Sequence, residues 1–229
     1  MVTESSKGRT NKSVVLKEAG RYLIYAALVY ATAEFMKWNA GLDHSEAKFS
    51  EYSYVEYAQS FLLLLSGLIS FKFYISKQNP VYKNIFLLIF GLSAITLIRE
   101  QDIYFEEFIG KGIWPIPVFI IICIIGYKAF SAGKQIWDEL ALYVKTKSYA
   151  FFCFGTLTIF VFSRLFGRTK FWEAIMEDKY FRSVKNAAEE CVELYGYLFF
   201  FISVIELVIE NAKKNVALTR TFTAASKNQ

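Results

Sequence analysis

The feature of this sequence that most limits its fold is a series of six apolar segments, each close in length to a membrane-spanning helix. About 20 predominantly apolar residues carry a helix across the roughly 30 Å of hydrocarbon in a bilayer. No segment alternates with the period of two that a membrane β-barrel requires. Because a chain in lipid must satisfy its own backbone hydrogen bonds, the segments are expected to be helices. They are residues 22–38, 54–75, 81–98, 113–130, 149–166 and 192–209.

The sequence therefore predicts an all-α membrane protein, a bundle of six transmembrane helices within residues 19–211. A cytoplasmic N-terminal segment, 1–18, precedes this domain, and a cytoplasmic tail, 212–229, follows it and is expected to end in disorder. The fourth and fifth connections, near 134–147 and 171–184, place apolar residues at helical spacing. We predict short amphipathic interfacial helices there. For the fourth connection, an extension of the preceding helix is an equally open alternative.

Composition excludes several other classes of protein. The chain is 55% hydrophobic, and this excess is concentrated in the six segments rather than spread as in a soluble core. The net charge is +5, but no basic stripe is interleaved with exposed aromatic residues, so nucleic acid is not expected as a partner. The lipid bilayer is the expected partner. Six short helices are also compatible with a homo-oligomer or a partner membrane protein.

The distribution of charge predicts the orientation in the membrane. With six spans, 16 of the 26 Lys and Arg residues lie on the side of the two termini and 10 on the other side. The positive-inside rule then places both termini in the cytoplasm of a multi-pass protein of the plasma (inner) membrane. Fifteen of the 21 acidic residues fall on the outer half. The outward end is therefore predicted to be acidic.

A candidate site follows from the polar residues near the outward ends of the helices. Carboxylates near hydrocarbon are costly without partners and are a default indication of function. Helical periodicity turns several of them toward the bundle, with Arg99 as the single nearby cation. Several carboxylates around one arginine must be partly protonated, bind a further cation or be reached by water. The candidate ligand- or ion-binding residues are Glu34, Glu56, Gln59, Arg99, Glu100, Glu189 and Glu193.

His44 is the only histidine and lies in the first outer connection. It would complete an oxygen-rich metal site with Glu34 or Glu56, although a single loop histidine is more often solvated. No zinc-binding motif, GxSxG sequence, phosphate-binding loop or dinucleotide-binding glycine motif is present. An enzyme is therefore not favoured, and no cofactor is indicated beyond a bound cation.

Three functions remain open from the sequence. The first is binding or passage of a cation or small solute at the acidic cluster, with proton coupling, and hence a role in transport. In the second, the cluster only holds the bundle together, and the protein is an interaction subunit or a sensor. The third is a membrane-embedded hydrolase that uses carboxylates and His44 on a lipid headgroup.

Overall fold

The computed structural model describes residues 3–42, 49, 53–76 and 80–226, and side chains for 12–42, 49, 53–76 and 80–217. These residues are 88% helical and contain no strand, in agreement with the all-helical prediction. A π-helical turn, Thr158–Phe162, joins α7 to α8, so that Lys147–Phe166 is continuous helix. The helices are α1 Thr3–Gly41, α2 Tyr54–Tyr74, α3 Lys83–Glu100, α4 Asp102–Phe108, α5 Pro115–Ser131, α6 Lys134–Tyr143, α7 Lys147–Leu157, α8 Ser163–Phe166, α9 Thr169–Met176 and α10 Arg182–Ser226.

The chain divides into two compact units, Met1–Asp43 and His44–Gln229. The first unit is built on α1. On this helix Lys37 Nζ lies 3.1 Å from Glu34 Oε2, one turn away. All the other helices belong to the second unit.

Local sequence signals explain where several helices of the second unit begin. The Ser53 side chain accepts a hydrogen bond from the Glu56 backbone N–H at 3.3 Å, which caps α2. The Thr146 side chain accepts in the same way from the Tyr149 N–H at 3.2 Å and caps α7. Pro115 stands at the start of α5, where the N–H it lacks has no partner within the helix.

The core of the second unit lies between α2, α3, α7 and α10. α2 packs along both α3 and α10, and α10 packs along α7. Phe86, Tyr197 and Leu207 are fully buried in this core. α7 and α10 approach closely where Gly155 of α7 faces Gly196 of α10. Ser148 also donates a hydrogen bond to the Ser203 carbonyl at 2.7 Å. These contacts make α10 the central helix of the unit.

The start of α2, the end of α3 and the start of α10 meet at one end of this bundle. Gln101 donates a hydrogen bond to Ser60 Oγ at 2.7 Å, and Gln59 donates to Glu190 at 2.9 Å. We call this the acidic end. The opposite end is marked by Tyr74 at the end of α2 and Lys83 at the start of α3.

Three helices are long and apolar enough to cross a membrane, namely Tyr54–Tyr74, Lys147–Phe166 and Arg182–Ala217. Two bent pairs would raise the number to five: α3 with α4, bent by 58°, and α5 with α6, bent by 97°. The findings support a helical membrane protein, but the prediction of six spans is not confirmed. The first predicted span falls within α1. Tyrosines and the charged Glu34 and Lys37 lower the apolar fraction of this segment.

The observed helix bounds differ from the predicted segments mainly in α1 and α10. Both continue well past the apolar residues, through polar sequence that satisfies its backbone within the helix. Helices also occupy both predicted interfacial positions, as α6 and α9. The sharp bend at Gly133, whose φ is 55°, separates α6 from α5, so α6 is not an extension of the preceding helix.

Candidate functional site

A cavity of about 300 Å³ opens at the acidic end of the second unit. Its lining is mostly polar and includes six carboxylates and three guanidinium groups. The residues that line it are Phe49, Glu56, Arg99, Glu100, Asp102, Ile103, Arg164, Arg182, Asn186, Glu189, Glu190 and Glu193.

Five helices bring the charged side chains of the lining together. Glu56 stands in the first turn of α2, and Arg99 and Glu100 end α3. Arg164 follows the π-helical turn, in which the backbone bonds are wider than in an α-helix and the register of the residues beyond it shifts. Asp102 is the first residue of α4, and the other charged residues of the lining stand near the start of α10. The charged side chains of the lining thus stand near helix ends, whereas Phe49 lies outside the helices.

Glu193 is the most deeply placed carboxylate of the cavity and is only 4% exposed. Its Oε1 atom accepts hydrogen bonds from Ser163 Oγ at 3.1 Å and from the Arg164 guanidinium. The same guanidinium lies 3.6 Å from Glu189, which also pairs with Lys185 at 3.1 Å. Two carboxylates of α10 therefore share the cation supplied by α8.

A second charged group joins α3 to α10. Glu100 accepts hydrogen bonds from the neighbouring Arg99 guanidinium and from the Tyr197 hydroxyl, the latter at 2.8 Å. Because Tyr197 is fully buried, its hydroxyl needs this partner. The bond from Tyr197 fixes the end of α3 against α10 at the acidic end.

Gln59 and Glu190 form the third interaction at this end. The Gln59 amide donates to Glu190 Oε2 at 2.9 Å and to the Glu190 carbonyl at 3.1 Å. Among the described residues, Gln59 Oε1 and Arg99 Nε are buried without a hydrogen-bond partner. Buried polar atoms are normally paired. An acceptor and a donor therefore remain available beside the cavity.

The structure brings most of the residues proposed from the sequence to this cavity. Glu56, Arg99, Glu100, Glu189 and Glu193 line it, and Gln59 contacts the lining residue Glu190. That any of them binds a ligand stays a prediction.

Two of the proposed residues are not placed at the cavity. Glu34 belongs to the first unit, where it pairs with Lys37. His44 lies outside the described residues, and so does the metal site suggested with it.

Sequence reasoning missed most of the positive charge of the site. Arg99 is not the single nearby cation, because Arg164 and Arg182 also line the cavity and Lys185 pairs with Glu189. Helical periodicity shows which residues share a face of one helix but not which faces meet. A usable signal was the position of Arg164 inside the end of an apolar segment, where a charge needs a partner.

The described residues contain no group of three or more His, Cys, Asp or Glu side chains arranged to hold a metal ion. Comparison with known protein families, with curated proteins and with solved structures finds no match for the chain.

Proposed function

We propose that this protein binds a small organic solute that carries an ammonium group, in the cavity at its acidic end. The observation that carries the proposal is the charge of the lining, in which six carboxylates face three guanidinium groups. A solute with an ammonium group would balance part of this excess negative charge, which is costly near hydrocarbon. The arginines would in turn receive a carboxylate or phosphate on the same solute.

The geometry supports an organic solute better than a bare metal ion. Glu100, Glu189 and Glu193 already accept bonds from Arg99, Lys185 and Arg164. A metal ion would have to displace these cations. The volume of about 300 Å³ is at the lower end of the range found for small-molecule pockets.

The proposal includes a topology. Six spans, with α1 as the first and with the two bent pairs counted as one span each, place both termini in the cytoplasm of the plasma membrane. α6 and α9 then lie at the membrane interfaces, and the acidic end faces outward. Passage of the bound solute across the bilayer, with proton coupling, would make the protein a transporter. A homo-oligomer or a second membrane protein would fit beside the apolar helices.

Thermal unfolding of the purified chain in detergent tests the binding proposal. The probes are ethanolamine, choline, putrescine and glycine, with Na⁺, K⁺, Mg²⁺, Ca²⁺, Mn²⁺ and Zn²⁺ in parallel. A probe at a hundred times its dissociation constant should add about 2.7 kcal/mol to the free energy of unfolding. Glu56→Gln and Glu190→Gln should abolish this stabilisation. Glu173→Gln, a matched change of an exposed residue on α9 outside the cavity, should retain it.

The proposal is wrong if no amine stabilises the native chain, or if the two cavity variants respond as Glu173→Gln does. If only a metal ion stabilises the native chain, and the same variants lose this effect, the ligand is that ion and not an organic solute. Uptake of a stabilising amine into proteoliposomes would show that the protein also transports the amine.

A second function is favoured by the bonds that join helices at this end. Arg164 links α8 to α10, and Glu100 with Tyr197 links α3 to α10. If these interactions only hold the bundle together, the protein is an interaction subunit or a sensor. In that case both cavity variants would unfold at lower temperature, and no probe would stabilise the native chain. The hydrolase alternative depends on His44, and no contact of the described residues favours it.

A further inference from the structure

A second and larger cavity, of about 940 Å³, lies at the opposite end of the bundle. It is formed between the start of α3, the end of α5 and the helix α6 that follows the bend at Gly133. Its lining is part polar and part apolar, with Leu87 and Leu142 beside Lys83, Lys128 and Gln135. We call it the lysine groove.

The two lysines of the groove have no carboxylate partner among the described residues. The Lys128 side chain makes no hydrogen bond or ion pair there. Lys83 only lies over the ring of Tyr74, with its Nζ atom 5.8 Å from the ring centroid. Glu139 lines the same groove, but it accepts hydrogen bonds from Asn84 and Ile85 at the start of α3. The remaining carboxylate, Asp138, is exposed to solvent.

With α3 and α5 in a membrane, the groove would lie at the level of the lipid headgroups. Lys83 is the first residue of α3, and Lys128 stands in the last turn of α5, both of which belong to candidate membrane spans. Lysines at such positions extend toward the interface and meet lipid phosphate there.

The wall of the groove suits the apolar part of a lipid. None of the α5 residues is buried, and this helix is the most apolar in the chain. Tyr127, which lines the groove, is 75% exposed, and Ile124, three residues earlier on the same helix, is 50% exposed. Lipid acyl chains lying along this helix would cover a surface that is unfavourable in water.

We propose that the lysine groove binds a phospholipid, with the lipid phosphate between Lys83 and Lys128 and the acyl chains along α5. The charge of the groove carries the inference, because two ammonium groups without carboxylate partners beside an apolar helix match a phosphate linked to hydrocarbon. The site is separate from the cavity at the acidic end and does not depend on what that cavity binds.

The test uses the full chain, purified in a neutral detergent and freed of bound lipid. Thermal unfolding is followed during titration with diheptanoylphosphatidylglycerol, dioctanoylglycerol, which has no phosphate, and inorganic phosphate. We expect the phospholipid to raise the unfolding temperature saturably, and the other two probes to have at least tenfold weaker effects. In Lys83→Gln/Lys128→Gln the half-saturating phospholipid concentration should rise at least tenfold.

The matched control is Lys134→Gln/Lys145→Gln, which removes the same charge from two exposed lysines that do not line the groove. Its half-saturating concentration should stay within twofold of the native value. Since the Lys128 side chain makes no hydrogen bond or ion pair among the described residues, Lys128→Gln alone keeps the test valid if the double variant does not fold.

Three results would overturn the proposal. If the control variant raises the half-saturating phospholipid concentration equally, the lipid is attracted to surface charge in general. An equal response to dioctanoylglycerol would mean that phosphate is not recognised. Binding of inorganic phosphate at the same concentration as the phospholipid would identify a site for free phosphate instead of a lipid site.

Discussion

At the scale of single residues, Glu139 shows how a carboxylate can serve the fold alone. It is 5% exposed. Its oxygens accept hydrogen bonds from the backbone N–H groups of Asn84 and Ile85, at 2.7 and 3.3 Å, and from the side chains of Asn84 and Gln135. The first N–H groups of a helix have no partner within it and favour negative charge. Glu139 thereby fixes α6 to the start of α3.

Glu139→Ala should therefore destabilise the protein, because it leaves the start of α3 without these acceptors. We expect the free energy of unfolding to fall by about 2 kcal/mol, measured by denaturant titration in detergent. Asp138→Ala is the control, since the neighbouring carboxylate is exposed and its removal should change stability by less than about 0.5 kcal/mol. Equal losses in the two variants would show that Glu139 does not act as this cap.

The sequence indicated the candidate site best where the reasoning concerned one helix at a time. Glu56, Glu100 and Glu193 each stand near the end of an apolar segment, and the cost of burying charge directs them inward. The partners of these residues come from other helices. Arg164 reaches Glu193 only because α8 lies beside α10, and that pairing has no signature within either segment.

At the scale of helices, the contact between α7 and α10 depends on two glycines. A Cβ atom placed on Gly155 would lie 2.7 Å from the Phe200 backbone nitrogen and 2.9 Å from the Gly196 carbonyl oxygen. Both neighbours are backbone atoms and cannot turn aside as a flexible side chain can. Small residues of this kind allow membrane helices to approach closely.

Gly155→Ala should force α7 and α10 apart and lower the free energy of unfolding by about 1–3 kcal/mol. Gly126→Ala is the matched control on α5, because nothing lies within 4 Å of the position its Cβ would take. Alanine there should be neutral or stabilise by up to about 1 kcal/mol through its higher helix propensity. Unfolding in detergent, followed by circular dichroism, measures both, and similar values for the two variants would refute the close packing.

Hydropathy predicted the helices themselves more closely than their ends. The second segment, 54–75, and the helix Tyr54–Tyr74 differ by one residue. In α10, by contrast, helix begins ten residues before the apolar segment at 192. Apolar segments indicate which residues contact lipid or the protein core, whereas a helix also continues through polar residues. The sequence therefore could not predict where polar helix extends beyond the membrane.

At the scale of the whole molecule, the number of spans decides on which side of the membrane each terminus lies. Six spans place both termini on one side, whereas the five candidate spans found without α1 place them on opposite sides. The positive-inside rule favours six, because that arrangement puts 16 of 26 Lys and Arg residues on the side of the termini. The hydropathy of α1 favours five, since tyrosines and charged residues interrupt its apolar segment.

Cysteine labelling in intact cells separates the two arrangements. In a chain whose three cysteines are replaced by alanine, the labelling positions are Ser13→Cys, Lys111→Cys and Ala217→Cys, all at exposed residues. The label is a membrane-impermeant maleimide. With six spans and cytoplasmic termini, Lys111→Cys reacts in intact cells, whereas the two terminal positions react only after permeabilisation. Reaction of one terminal position alone in intact cells would mean an odd number of spans, and α1 would then lie outside the membrane. Because the charge bias outweighs the weak hydropathy of a single helix, we expect the six-span pattern.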